Sequence, residues 1–302
     1  MGTAEFGIPA FETLCDNGYT PISVVTVPDK PAGRGRHVTS SAVKRIVLER
    51  NIPVLQPERL KDPAFLSSVS GLNPDLFVVV AFRILPPELL KIPRIGSINL
   101  HASLLPKYRG AAPIQCAIMN GERETGVTTF LLDEKIDTGK VLGQTATPIG
   151  ENETAGELHD RLSIMGKELV LSTVKSLDEG TTMPVIQNDT LATPAPKIFK
   201  EDCRIDWNRS AREIHNQIRG LSPRPGAFTK RNGMPLKIFR SAVVDEQETS
   251  NPGVVVDAGS VLRISTGKGV LEILQIQQEG KRMLGVEEFL RGYQIRRGDR
   301  LE

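Results

Sequence analysis

Apolar residues along this chain alternate between short unbroken runs and helix-like spacings. Ala10, Phe11 and Leu14 fall on one helical face over residues 9–17, with Gly18 as the stop, and an apolar run at 22–27 follows as a strand. Val43, Ile46 and Val47 predict a helix over 41–51, residues 52–55 a short strand and residues 62–72 a further helix. The run at 76–81 is continuously apolar between Pro74 and Arg83, which predicts a strand buried on both faces of a parallel sheet. Another strand is expected at 95–100, then a helix at 114–120 and strands at 127–132 and 141–145.

Thr154 and Glu157 form a capping box, and Leu158, Leu162, Met165 and Leu169 then predict a packing helix to about residue 177. Residues 179–204 are polar and carry Pro184, Pro194 and Pro196, the pattern of a linker. Beyond it, Ser210 and Glu213 cap a helix whose apolar side is Ile214, Ile218 and Leu221. His159 and His215 fall off the apolar stripes and are assigned no chemistry. Apolar runs at 236–239, 253–256, 261–264 and 270–276, separated by Gly and Asp turns, predict a small antiparallel barrel. The expected class is α/β, a Rossmann-like domain with a mostly parallel sheet over 1–178, followed by a linker over 179–204 and a β-barrel domain over 205–302.

Composition narrows the classes. A chain of 302 residues with 39% hydrophobic and 25% charged residues is long enough for about two globular domains. No apolar run approaches the roughly 18 residues of a membrane span, and no signal-peptide layout opens the chain, so a cytoplasmic protein is expected. Cys15, Cys116 and Cys203 are far apart and form no C-x-x-C, which implies neither a disulfide framework nor a zinc site. No metal is expected. From Asp206 onward there are 16 Lys and Arg against 12 Asp and Glu, while the rest of the chain has 22 against 24. A basic C-terminal third fits either a phosphate-backbone footprint or an ordinary solvated surface.

Candidate chemistry begins where the strand at 95–100 ends. Asn99 and His101 are two apart, so both side chains point to one face and could hold a developing oxyanion. Taken alone, the pair is also what a core histidine bonded to a backbone carbonyl and a turn-capping asparagine look like. The continuation Leu104-Leu105-Pro106, then Tyr108-Arg109-Gly110, attaches an apolar wall, a guanidinium and a Gly turn, which suits a flat aromatic ligand. Upstream, Lys30, Gly33, Arg34, Gly35, Arg36 and His37 form a basic Gly-containing stretch that local criteria make a loop.

The string NLHASLLPKYRGAAPI, with the stretch from Asp133 to Asp137-Thr138-Gly139 placing Asp137 36 positions after His101, resembles the folate-dependent formyltransferases, and within them the branch that formylates methionyl-tRNA. The likeness runs from Gly2-Thr3 to the C-terminal segment. It implies 10-formyltetrahydrofolate as co-substrate, methionyl (initiator) tRNA as acceptor, Asn99, His101 and Asp137 as catalytic residues, and a monomer. It places folate along Ser103, Leu104, Leu105 and Pro106 and against the loop of Phe82 and Ile84. The Arg109-Gly110 turn would shape the methionyl pocket, and Lys30, Gly33, Arg34, Gly35 and Arg36 would meet the tRNA. It also makes the C-terminal barrel oligonucleotide-binding-like. Phe82-Arg83 and Lys135-Ile136 depart from the family's commoner residues. In this chemistry Asn99 and His101 donate to the oxyanion and Asp137 is the base and the anchor of His101. Two alternatives are a formyltransferase acting on a nucleotide-linked amino sugar or other small amine, and an RNA-binding protein with an idle catalytic domain. A dinucleotide oxidoreductase is disfavoured because no G-x-G-x-x-G follows a strand.

Topology gives one more expectation. A helix at 9–17 leading into a buried-type strand at 22–27 is the second half of a right-handed crossover, and a parallel strand should precede it. The resemblance puts Gly2-Thr3-Ala4-Glu5-Phe6 just after that strand. The chain is therefore expected to start at an internal methionine or to have been cut there, lacking roughly six to ten strand residues and losing stability as a result.

Overall fold

The computed structural model describes residues 1–32, 37–247 and 251–302, which form two compact units. One is Met1–Pro113, Thr125–Thr147 and His159–Ala195; the other is Ile114–Glu124, Pro148–Leu158 and Pro196–Glu302. The stretch expected as linker is thus divided at Ala195 between the two.

Up to Ala195 the strands are β1 (Val24–Val25), β2 (Lys30–Ala32), β3 (His37–Thr39), β4 (Val54–Leu55), β5 (Leu76–Val80), β6 (Gly96–His101), β7 (Arg109–Gly110), β8 (Glu124–Leu131), β9 (Val141–Pro148) and β10 (Pro194–Ala195). The helices are α1 (Ile8–Asp16), α2 (Ala42–Glu49), α3 (Pro63–Gly71), α4 (Pro87–Leu90), α5 (Pro113–Met119) and α6 (Ala155–Asp178). Local signals set their starts: the Ser41 hydroxyl accepts from Lys44 N–H at 3.1 Å, and Asp62 caps α3 through Ala64 N–H at 2.8 Å, with Pro63 in the first turn.

The central sheet has the order β5-β6-β8-β9, with β5 parallel to β6 and β6 antiparallel to β8. α6 lies close to it because Gly166 has no side chain: a Cβ there would stand 2.6 Å from Leu100 Cδ2. The buried stripe of α6 accordingly runs Leu162, Gly166, Val170, Val174, and Met165 and Leu169, expected in the stripe, are half-buried beside it.

β1 pairs in parallel with β4 as a separate two-stranded sheet. Met1 and Gly2 stand between β1 and β5, where Gly2 N–H donates to Val25 O at 3.0 Å and Val80 N–H to Met1 O at 2.9 Å. The chain then turns into a single 3-10 turn at Glu5–Gly7, so residues 1–7 supply one bridged pair, Gly2 with Val80, and no strand. Below that bridge is a cavity of about 390 Å³ lined by residues that include Leu14, Val24, Val43, Leu55 and Phe77.

The stretch read as an irregular loop around residue 33 is flanked by paired strands: β2 and β3 are antiparallel, with Lys30 opposite Thr39 and Ala32 opposite His37. Pro31 is compatible with such a ribbon because each strand of a two-stranded sheet has an edge that needs no donor. Gly33, Arg34, Gly35 and Arg36 lie outside the described residues, as does the side chain of Lys30.

From Pro196 onward the chain forms α7 (Ala211–Gly220), β11 (Ala227–Arg231), β12 (Met234–Asp245), β13 (Val255–Asp257), β14 (Leu262–Ser265), β15 (Val270–Gln278), β16 (Leu284–Gly285) and α8 (Val286–Gly292). The expected barrel is a curled antiparallel sheet in the order β11-β12-β15-β14-β13, with β16 on β15; among the described residues its end strands do not pair, so it is a half-barrel. α7 covers it, and Ile214, Ile218 and Leu221 join Leu236, Ile238, Ile264 and Ile273 in one core. Ser210 and Glu213 form the capping box that their spacing predicts. Among the described residues no helix is long and apolar enough to cross a membrane.

His215, expected off the packed side of α7, is 2% exposed. Its Nδ1 meets the Ser241 hydroxyl at 3.0 Å and its Nε2 the Glu151 carbonyl at 3.3 Å, the arrangement of a neutral ring that accepts at Nδ1 and donates at Nε2. Burial holds its pKa below the ordinary 6.5; the Glu151 carbonyl opposes that shift, and Arg219 and Arg212 add to it. The unfolded chain therefore takes up the proton first. His215 costs the fold nothing above about pH 6.5 and destabilises it progressively as pH falls below that value. Chemical denaturation from pH 7.5 to 5 should show a shallower loss of stability for His215→Gln than for the parent, and equal slopes would contradict the assignment.

Candidate active site

β6 carries the first two polar residues. Asn99 is opposite Val79 of β5 and Phe130 of β8, and His101 is opposite Thr128 of β8. A one-residue slip would turn the buried Ile98 and Leu100 out of their layer, so the register is fixed, and with it the face that Asn99 and His101 share.

His101 is 6% exposed and its Nε2 lies 2.8 Å from the Tyr108 carbonyl. A carbonyl only accepts, so Nε2 carries the proton, and Nδ1 is left 3.7 Å from Asp137 Oδ2. That separation is longer than a hydrogen bond. The hydrogen bond that holds His101 is therefore to the Tyr108 carbonyl, and Asp137, expected as its anchor, stands at ion-pair rather than hydrogen-bond distance. Asp137 Oδ2 instead accepts the Gly110 amide at 2.8 Å. One nitrogen or water about 2.8 Å from each could bond both Nδ1 and Oδ2. Asn99 Oδ1 is buried with no hydrogen-bond partner, an expense of about 1–3 kcal/mol that a bound ligand would relieve.

The loop after β6 is braced from beneath. Thr128 Oγ1 donates to Ser103 O at 2.6 Å and accepts from Leu105 N–H at 3.1 Å and from Gln144 Nε2 at 2.9 Å. Gln144 Nε2 also donates to Leu105 O at 2.8 Å. The Ser103 hydroxyl closes the same loop on Lys107 O at 2.6 Å, and Leu105 is buried. Leu104 packs where a Cβ on Gly126 would come within 2.6 Å of its Cδ2. Of the residues expected along the folate, Pro106 is half-buried, and on the neighbouring loop Phe82 is half-buried under the Arg83 guanidinium at 5.2 Å while Ile84 is 74% exposed.

Arg109 and Gly110 form β7, which pairs in parallel with β10. Gly110 is required there: its φ is 130° and a Cβ would fall 2.4 Å from Ala195 O. Arg109 donates from Nε and Nη2 to Gln187 Oε1 at 3.1 and 2.8 Å, and from Nη2 to Asp189 at 2.7 Å. Gln187 Nε2 donates in turn to the carbonyls of Asp137 and Gly139 at 2.9 and 2.7 Å. A Cβ on Gly139 would stand 1.6 Å from Leu131 O, so the glycine of Asp-Thr-Gly admits no side chain.

Asn99 and His101 at the end of β6, Ser103 in the loop after it, Arg109 and Gly110 in β7, and Asp137 in the loop between β8 and β9 are thus joined through the contacts of His101 and Gly110. Thr128, Gln144 and Gln187 were not foreseen. Thr128 could have been found from its place opposite His101 once the pairing was known; Gln144 and Gln187 carry no motif. Among the described residues no three His, Cys, Asp or Glu side chains gather as metal ligands would.

The family model described as "Formyl transferase" matches residues 2–174, and "Formyl transferase, C-terminal domain" matches residues 197–294. The chain is 44% identical to a methionyl-tRNA formyltransferase of Bacteroides thetaiotaomicron, over 99% of this chain and 96% of that protein. It is 47% identical to one of Caldanaerobacter subterraneus, over 99% and 97%. Among solved structures, a sugar 3N-formyl transferase crystallised with dTDP and 5-N-formyl-THF superposes with a TM-score of 0.68 at 21% identity, covering 93% of this chain and 97% of that one. A methionyl-tRNA formyltransferase from Clostridium thermocellum gives 0.52 at 19%, covering 74% and 93%. At these identities the two structures speak for the fold alone.

Thr128→Val keeps the shape of the side chain but leaves Ser103 O, Leu105 N–H and one Gln144 donor without their partner. At about 1–3 kcal/mol for each of the two buried groups, Ser103 O and Leu105 N–H, urea unfolding should show a loss of roughly 2–6 kcal/mol, with weaker folate binding by titration. An unchanged midpoint would contradict the bracing role.

Proposed function

The chain belongs to the formyl transferase family, and from that premise we propose that it moves the formyl group of 10-formyltetrahydrofolate to the α-amine of methionyl (initiator) tRNA. The observation that carries this reading is an imidazole, His101, standing 3.7 Å from the Asp137 carboxylate, on the same strand face as a carboxamide, Asn99, whose buried and unpartnered oxygen leaves an acceptor for an N–H of a bound ligand.

The reaction breaks the bond between the formyl carbon and the folate nitrogen and makes one to the amine. In between, the formyl oxygen becomes negative and the amine carries a proton it must lose. Asn99 supplies an amide N–H to that oxygen, where donors fixed in advance are worth most, and His101, whose Nε2 proton is held by Tyr108 O, joins it as a donor through Nδ1 when that nitrogen carries a proton. Asp137 takes the amine's proton, directly or through a water between it and His101, and the proton passes to the departing folate nitrogen as the C–N bond breaks, which restores the carboxylate. No protein nucleophile is needed, because the reference pKa of an α-amine, about 7.7–8.0, leaves part of it neutral near pH 7. The role of Tyr108 O is to hold the imidazole: it keeps the proton on Nε2 and turns Nδ1 to the site.

Folate lies against Ser103, Leu104, Leu105, Pro106, Phe82 and Ile84, with the exposed face of Ile84 available to a flat ring. Arg109 and Gly110 wall the acceptor pocket. Phosphates of the tRNA meet Lys30, Gly33, Arg34, Gly35 and Arg36 and the basic C-terminal unit. High identity over nearly the whole length to proteins named for methionyl-tRNA favours this acceptor over an amino sugar, for which the likeness is structural and distant. The protein is read as cytoplasmic, where initiator tRNA is used. It is also read as a monomer, since one chain supplies Asn99, His101 and Asp137. No metal takes part in this scheme.

Purified protein given 10-formyltetrahydrofolate should produce formyl-methionine on methionyl-tRNA and leave a nucleotide-linked amino sugar unmodified. Asp137→Asn should lower kcat by about 10²-fold or more with folate binding close to normal. Formylation of the sugar alone, or a near-normal kcat for the variant, would contradict the reading.

A further inference from the structure

Gln187 lies in the stretch that composition marks as linker, yet it is 9% exposed and both ends of its side chain are in use. Its two N–H groups go to the carbonyls of Asp137 and Gly139, and its Oε1 receives two donors from Arg109. A carboxamide has two donors and two acceptor positions, so this one is saturated.

Asp137 has a φ of 55°, a left-handed conformation uncommon for a residue with a Cβ. The turn it makes brings the carbonyls of residues 137 and 139 onto one nitrogen. On the other side, Gly110 N–H binds the Asp137 carboxylate, and Gly110 follows Arg109 directly in the chain. The contacts therefore close a ring: Asp137 carboxylate, Gly110 amide, Arg109 side chain, Gln187 amide, Asp137 carbonyl. Movement of any member shifts the carboxylate and the guanidinium together.

We infer that Gln187 is a positioning residue for formyl transfer, one side-chain amide that sets the Asp137 turn and the Arg109 guanidinium in a fixed relation. The inference rests on the roles proposed above for Asp137 and Arg109. Other side chains satisfy only part of the ring. Glutamate keeps an acceptor for Arg109 but presents oxygen to two carbonyls. Alanine removes both halves, although Asp189 still holds Arg109 Nη2 at 2.7 Å.

Those differences define the experiment, in which steady-state formylation of methionyl-tRNA is compared for the parent, Gln187→Glu and Gln187→Ala, with 5-formyltetrahydrofolate binding and thermal unfolding recorded for each. Both variants should lose about 10–100-fold in kcat, as expected when a reacting group is displaced by a fraction of an ångström to an ångström. The KM for methionyl-tRNA should rise roughly 5–10-fold in Gln187→Ala and stay within about twofold in Gln187→Glu, because only the glutamate retains the acceptor for Arg109. Folate binding should stay near the parent's, while the unfolding temperature falls by several degrees in both variants because the carbonyls of Asp137 and Gly139 lose their donor, so rates are compared at a temperature where every form is folded. A kcat within about twofold of the parent, equal KM changes in both variants, or a kcat loss that tracks lost folate binding and unfolding at the assay temperature would each overturn the inference. Failure of the parent on methionyl-tRNA, or full activity of Asp137→Asn, would instead overturn the function on which it rests; an active parent with silent Gln187 variants overturns this step alone.

Discussion

The hydrogen bond from His101 Nε2 to the Tyr108 carbonyl is the contact on which the site depends. It joins the last residue of β6 to the far side of the loop that β6 feeds. That one bond sets the tautomer of the imidazole and the span of the loop, and leaves Nδ1 beside Asp137. The strand fixes where the bond starts, through pairing with β5 and β8. Its other end is fixed by Thr193, whose hydroxyl accepts the Tyr108 N–H at 2.9 Å, and by the β7–β10 pairing just beyond.

Much of this was legible because it obeys local rules. A period of two put Asn99 and His101 on one face, the capping boxes at Thr154 and Ser210 marked two helices, and the apolar run at 76–81 marked the strand β5, buried at Phe77 and Val79 on one face and half-buried at Leu76 and Val78 on the other. The core-histidine and catalytic readings of His101 proved compatible: the ring is bonded to a backbone carbonyl through one nitrogen and free to act through the other. What local rules missed were polar residues whose meaning lies in distant partners. Gln187 gains its contacts 50 residues from Asp137, and Thr128 underlies Ser103 through a sheet register that no motif announces. His215 was set aside because its neighbours in α7 already supplied an apolar stripe, whereas α7 is packed nearly all round. The paired strands at Lys30–Ala32 and His37–Thr39 were hidden by Pro and Gly, which signal turns more strongly than they exclude ribbon edges.

The sheet also shows where topology outruns periodicity. Periodicity marks β1 and β5 but not what joins them: Met1 and Gly2 bridge the two, with Gly2 N–H on Val25 O and Val80 N–H on Met1 O, before the chain turns into α1. An apolar cavity lies beneath them. The loops that carry the candidate site lead from β6 and β8, and β6 is paired on both sides, with β5 and with β8.

The central claim is that this strand end stabilises the charge that develops on a formyl oxygen. The most direct measurement is the single-turnover rate of Asn99→Ala with enzyme saturated in both substrates, set beside its affinity for 5-formyltetrahydrofolate. Removing a preorganised donor should slow transfer by about 10²–10³-fold while the affinity changes far less. A rate close to that of the parent, or a loss confined to folate affinity, would contradict the account.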